Sequence, residues 1–205
     1  MAFSYVVLTI VSSHCLLSYL REFPDFLPLG TFLAIFMNSM VGLSKCCGGV
    51  KFVHNTLLSE VHDSTSFLQM LVALPFLTTE IWLMLRYDRI LSWLHSALCV
   101  VPLMVQLMEI NKNDSNYFNS MLTGSCCMSL AVASLEEPFN VWCSLAAVTY
   151  SLVFLISHDM FDRKDSTVQD FENFFLCAFC CAALNALRHE SKKSHLNVLV
   201  SENLK

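Results

Sequence analysis

Residues 67–108 read FLQMLVALPFLTTEIWLMLRYDRILSWLHSALCVVPLMVQLM. Two apolar runs, 67–85 and 90–108, are separated only by Arg86-Tyr87-Asp88-Arg89. About 20 apolar residues, rising ~1.5 Å each as a helix, cross a hydrocarbon core ~30 Å thick. Each run has that length, and the polar tetrapeptide between them permits only a tight reversal. The pattern predicts a helical hairpin that crosses a membrane twice. Lipid supplies no partner for backbone N–H and C=O groups, so a crossing segment must satisfy its own backbone. The period-two alternation of barrel strands is absent.

Five further runs extend the pattern on both sides: 3–20, 27–43, 118–135, 139–157 and 171–187. The expected fold is therefore an all-α, multi-pass transmembrane bundle of about seven helices over residues 1–187, with a flexible tail over 188–205. The run 118–135 is the weakest, being rich in small residues such as Gly124, Ser125, Cys126, Ser129 and Ala133. Small residues allow close helix approach, which predicts a central position for this helix. A re-entrant 118–135 reduces the count to six. The longest connection, 44–66, contains a weakly amphipathic stretch, 50–61, that reads either as an interfacial helix or as an irregular loop. The first run has no preceding Lys or Arg and no small-x-small cleavage site, so it reads as a retained helix rather than a secretory signal.

Composition agrees. Of 205 residues, 55% are hydrophobic and 14% charged, against about 25% charged in soluble domains. Mean hydropathy is +0.56. The net charge of -5 comes without a basic block, which excludes a nucleic-acid-binding surface. Most of the 10 cysteines fall inside apolar runs, where free Cys acts as a small hydrophobe.

Orientation follows the Lys/Arg bias of short loops. The loops on the C-terminal side carry slightly more of these residues, predicting a cytosolic C-terminus and a lumenal N-terminus. Tyr19, Trp82, Tyr87, Trp93 and Trp142 lie near one set of helix ends, as interfacial belt residues do. Cys46-Cys47 beside Lys45 has the pattern of a juxtamembrane lipidation site, with an unmodified pair as the alternative. Lipidation demands a cytosolic 44–66 loop, against the charge bias. The sequon Asn113-Asp114-Ser115 lies too close to a membrane end for glycosylation. An endomembrane location is expected rather than the plasma membrane.

Glu80 is the one acid well inside a run. A charge at the bilayer centre costs roughly 2.5–3.5 kcal/mol on insertion scales, so it must be paired, protonated or in contact with water. Pro75 cannot donate to the carbonyl of Leu71, which loosens the helix nearby. Glu80 and His95 stand equally far from the centre of the 86–89 turn, ~11 Å at the helical rise. This places them at one depth and predicts an intramembrane pair, acting either as a proton or cation relay or as a polar clasp worth about 0.6 kcal/mol per hydrogen bond. His14, Asn38, Gln106 and Asn185 read as packing contacts. Cys177 and Cys181 fit a small-residue packing face rather than a zinc or redox site. His54, Glu60, His62 and Asp63, like His158, Asp159, Asp162 and Asp165, have metal-ligand chemistry but no defined spacing, and read as solvated loops. No hydrolase elbow, zincin, phosphate-loop or dinucleotide motif is present. No catalytic residue, cofactor or metal is therefore expected.

Glu80 and Trp82 before the Arg86-Asp88-Arg89 turn, the Leu135-Glu136-Glu137 turn, and the ending Ala186-Leu187-Arg188-His189 resemble small uncharacterised multi-pass transmembrane proteins of animals. That resemblance implies a membrane fold and carries over no activity, cofactor or functional residue. The leading expectation is a non-enzymatic accessory or assembly partner in contact with the bilayer and with other membrane proteins. Two alternatives are a small transporter or channel using Glu80 and His95, and a lipid-modifying enzyme, which needs several acid and His side chains to converge.

Overall fold

The reversal at residues 85–88 shows how local sequence sets the architecture. The helix before it ends in a Schellman turn: Arg86 N–H donates to Leu83 O and Tyr87 N–H to Trp82 O, both at 3.1 Å. Arg86 takes the left-handed conformation this requires, with φ 62°. Two residues later the Asp88 carboxylate accepts from the N–H groups of Ile90 and Leu91, capping the next helix.

The computed structural model describes residues 2–23, 27–47, 53–108, 112–137, 139–157 and 166–203. These form α1 (Ala2–Glu22), α2 (Leu27–Cys47), α3 (Val53–Met84), α4 (Arg89–Ala97), α5 (Val100–Leu107), α6 (Lys112–Ser134), α7 (Val141–Ser157) and α8 (Ser166–Asn203). No strand occurs among the described residues. The all-α bundle expected from the sequence is present. α4 and α5 are two pieces of one rod, so the described residues make seven rods. The expected single helix over 90–108 is interrupted at Leu98–Cys99. Pro102 is the reason: it has no N–H for Leu98 O, and its ring clashes with that carbonyl. Val101 N–H bonds Leu98 O instead, at 3.2 Å.

Helices α1, α2, α3, α6, α7 and α8 pack in a ring closed by α8 against α1, and α3 also meets α8 across it. The α4–α5 rod lies outside, against α3 and α6. The distribution of polarity is the reverse of that in a water-borne domain. Phe3, Ile10, Leu17, Ile90 and Leu107 are exposed, whereas Ser4, Ser12, Thr31, Ser39, Thr78 and Thr79 are buried. Among the described residues, five stretches are long and apolar enough to cross a membrane: Ala2–Glu22, Pro28–Cys47, Leu57–Met84, Arg89–Leu107 and Thr167–Lys193. α7 is apolar but shorter, and α6 carries the lowest mean hydropathy of the middle rods.

Several expectations are corrected. Residues 53–66 are helical and continuous with the following run, because no Gly or Pro separates them. His62 is thus buried in the bundle rather than in a solvated loop. The helix α8 runs through Leu187 and Arg188 to Asn203. Its residues 188–190 are tied to the bundle. The Arg188 guanidinium makes a two-pronged ion pair with Glu22, at 2.7 and 2.5 Å. Glu190 accepts from Asn140 Nδ2 at 2.7 Å. The small-residue helix α6 is not central. Gly124, Ser125, Met128 and Val132 face outward, and nothing lies within 4 Å of a Cβ built on Gly124. Cys126 and Ala133 of α6 are buried, and α7 and α8 bury more small residues: Cys143, Ala146 and Ala147, and Cys180, Ala182, Ala183 and Ala186. Cys177 is buried, and Cys181 is exposed with its thiol in contact with that of buried Cys15 on α1. Of the belt aromatics, Trp93 and Trp142 face outward, whereas Tyr19 is fully buried and packs on Phe23 and Phe32.

Candidate functional site

α3 carries a polar stripe at helical spacing: His62, Thr65, Ser66 and Gln69. Facing it are Asn38 on α2 and Tyr5 on α1. The Asn38 amide is the hub. Its Oδ1 accepts from Thr65 Oγ1, Ser66 Oγ and His62 Nδ1, each at 3.0 Å, and its Nδ2 donates to Gln69 Oε1 at 2.7 Å. Since Oδ1 only accepts, His62 Nδ1 must carry the proton. Its Nε2 is then the acceptor for the Tyr5 hydroxyl at 3.0 Å. Gln169 of α8 donates to that same hydroxyl at 2.6 Å. One α8 turn further on, Asn173 Nδ2 donates to Ser4 Oγ at 3.0 Å, and Ser4 Oγ donates to Asp170. Gly42 is what admits the Tyr5 ring: a Cβ at that position falls inside it.

Of these groups, Tyr5, Asn38, His62, Ser66, Gln169 and Asn173 line a cavity of about 280 Å³ between the first turns of α1, α6 and α8, the ends of α2 and α7 and the first half of α3. Asp63, Lys45 and Glu172 add three charged side chains to its wall. Lys45 Nζ lies at the exposed rim, 3.3 Å from Ser59 Oγ. Asn119 of α6 also lines the cavity and is 7% exposed. Its Oδ1 is the one enclosed side-chain polar atom without a hydrogen bond among the described residues.

The predicted pair lies at the opposite end of α3. Glu80 and His95 are both buried. The depth argument is supported one step along: Thr79 Oγ1 and Ser96 Oγ, also equidistant from the turn, lie 2.5 Å apart. His95 Nδ1 reaches Ser92 O at 3.2 Å and must donate to it, which leaves Nε2 to accept from Ser129 Oγ at 2.8 Å. Trp82 covers this cluster, its ring centroid 4.9 Å from His95 and its Nε1–H donating to Ser129 O. The carbonyl that Pro75 leaves without a donor is also filled. Cys99 Sγ, at the α4–α5 break, lies 3.1 Å from Leu71 O. Tyr150 of α7 donates to Met70 O at 3.1 Å, and Thr31 of α2 to Ala73 O at 2.8 Å. Three helices thus read the carbonyls around the proline.

Of the packing candidates, Asn38 is buried at the hub, His14 and Gln106 face outward, and Asn185 donates to Cys181 O of its own helix. Cys46 is half-buried and Cys47 exposed in the last turn of α2. Residues 158–165 lie outside the described residues, as does the side chain of His54. No group of three or more metal-ligating side chains occurs among the described residues. The cavity residues His62 and Ser66 have a signal in the sequence: with Thr65 and Gln69 they form a stripe with the period of a helix face. The boundary at 66 divides this stripe, because its polar residues read as part of a connection. No family model, curated protein or solved structure matches this chain.

Proposed function

We infer that this chain is a multi-pass integral membrane protein, placed in an endomembrane, and a non-enzymatic accessory or assembly partner of other membrane proteins. One observation carries the non-enzymatic part. The buried His62, His95, Tyr5, Asn38 and Asn140 side chains are spent on bonds between helices. Each ring nitrogen of His62 and His95 has a hydrogen-bond partner. A general base needs a free acceptor aimed at substrate, and neither histidine keeps one. The outward apolar surface supports the membrane placement, because a bilayer and not water is its natural solvent.

The test has three parts. Single cysteines placed at successive connections of a cysteine-free chain should alternate between labelled and protected in sealed vesicles. Alkaline carbonate should leave the chain in the membrane pellet. Mild-detergent extraction should then recover it in a defined larger complex; a chain that runs alone at every detergent concentration contradicts the assembly reading. A transport reading through Glu80 and His95 has weaker support, since neither lines the polar cavity. It predicts that Glu80→Gln abolishes proton-coupled flux in proteoliposomes without lowering expression.

A further inference from the structure

α1 and α8 close the ring, and they run parallel. At their first turns Asn173 Nδ2 donates to Ser4 Oγ at 3.0 Å and Ser4 Oγ donates to Asp170, while at the far end Arg188 Nε donates to Glu22 at 2.7 Å. Ser4 and Asp170 are 166 residues apart, and so are Glu22 and Arg188. Cys15 and Cys181 have the same separation and stand at one level between these two pairs. Positions 4, 15 and 22 are 11 and 7 residues apart, about three and two helical turns, so all three face one seam. The register brings the two thiols into contact, with Cys15 buried and Cys181 exposed. A disulfide needs Cα atoms within about 7 Å and Cβ vectors that converge. Thiols that meet at one level across a parallel, closely packed helix pair fit both demands. Cys99 and Cys127 instead meet backbone carbonyls, of Leu71 and Ala147.

We propose that Cys15 and Cys181 form a reversible redox site, oxidised by a hydroperoxide to a disulfide that joins α1 to α8. The Cys181 sulfur, open to the outside of the bundle, attacks the terminal oxygen of the hydroperoxide. The O–O bond breaks, the alcohol leaves with the thiol proton, and Cys181 becomes a sulfenic acid. The Cys15 sulfur then attacks the Cys181 sulfur, the S–O bond breaks, and water leaves with the Cys15 proton. Two thiols and one hydroperoxide thus give one disulfide, one alcohol and one water. A dithiol reductant reverses the reaction by exchange. The choice of oxidant rests on the membrane reading. Both cysteines lie seven residues before the Glu22–Arg188 level, ~10 Å into the bundle, where an uncharged, lipid-soluble peroxide reaches and a charged peptide disulfide does not. The bond closes a loop of 166 residues, from 15 to 181, which removes much of the freedom of the unfolded chain.

The experiment uses the full chain in its membranes. It is reduced with dithiothreitol, washed, treated with tert-butyl hydroperoxide, blocked with N-ethylmaleimide and digested with trypsin without reductant. Cleavage after Arg21, Lys164 and Arg188 leaves Cys15 as the one cysteine of peptide 1–21, and puts Cys181 in peptide 165–188 with Cys177 and Cys180. The two peptides should be recovered joined, with fragmentation placing the bond on Cys181, and dithiothreitol should part them. The oxidised chain, extracted in detergent, should unfold at least about 5 °C above the reduced one. Cys181→Ser, at an exposed position, should abolish both the linkage and the shift. A peptide 1–21 that stays separate, or that joins through Cys177 or Cys180, overturns the proposal. So does a joined chain whose midpoint does not move, or a linkage that persists in Cys181→Ser. Failure of the membrane reading looks different: oxidised glutathione then forms the same Cys15–Cys181 bond as readily as the hydroperoxide.

Discussion

The two ends of α3 use the same kinds of side chain to opposite effect. At the hairpin end, His95, Ser92, Ser96, Ser129 and Thr79 bond to one another beneath the Trp82 ring, which also packs at 4.6 Å on Tyr87. At the other end, His62, Asn38, Tyr5 and Gln169 bond to one another around a cavity. Both histidines are neutral by the logic of their partners. The difference is volume. Trp82 fills the space between α3, α4 and α6, whereas short amides and hydroxyls line the space between α1, α2, α3, α6 and α8. Similar polar groups therefore close one end of the helix and leave unfilled volume at the other.

The most severe way to break this comparison is Trp82→Ala. Removing the covering ring should cost about 3 kcal/mol, through lost burial and a new cavity, and should make His95 reactive to an imidazole-modifying reagent. A His95 that stays protected would show that Trp82 is not what closes this end. Asn38→Leu strikes the hub of the open end. His62, Thr65 and Ser66 then lose their common acceptor, and the loss should be about 2 kcal/mol in reversible detergent unfolding. A neutral result would mean that water replaces the hub, and the open end would be wetter than its hydrogen bonds imply.

Arg86→Gly sharpens the comparison in the stabilising direction. A left-handed residue with a Cβ costs roughly 1–2 kcal/mol, so glycine at φ 62° should raise the stability of the hairpin end by about 1 kcal/mol without changing the cavity. Cys99→Ala should cost only about 0.6 kcal/mol, because it removes one weak donor to Leu71 O. Cys99→Ser should restore the loss.

The smallest effect is a titration. Tyr87 donates to Glu136 at 2.5 Å, and this carboxylate, with some burial, pushes the phenol up to about 12 from its usual 10. The raised value favours the neutral phenol in the folded chain. Its contribution is therefore fully present below pH 10 and is lost as pH rises through about 12. Absorbance titration against Tyr87→Phe should show this step, and Glu136→Gln should move it back towards 10.

Much of the architecture was legible from hydrophobic run length alone. The runs at 3–20, 27–43 and 139–157 lie within α1, α2 and α7 or overlap them to within two residues. The hairpin was legible too, since an Arg-Tyr-Asp-Arg turn carries its own cap. The candidate site was less so. Glu80 and His95 attract attention because charge in an apolar run is conspicuous. His62 does not, because it sits where polarity suggests a connection, and only the helical period of 62, 65, 66 and 69 betrays it. The Cys99 contact with Leu71 was out of reach. Pro75 announces an orphaned carbonyl, yet nothing local names its donor 28 residues away.

What the sequence determined by itself is the set of apolar rods, their polar ends and their turns, because run length, proline position and capping act within a few residues of the chain. What only the tertiary structure decided is which polar groups are spent and which are not. That depends on how several helices from distant parts of the chain fill, or leave unfilled, one shared volume, and Asn119 shows it: the same amide would be unremarkable on any other face of α6.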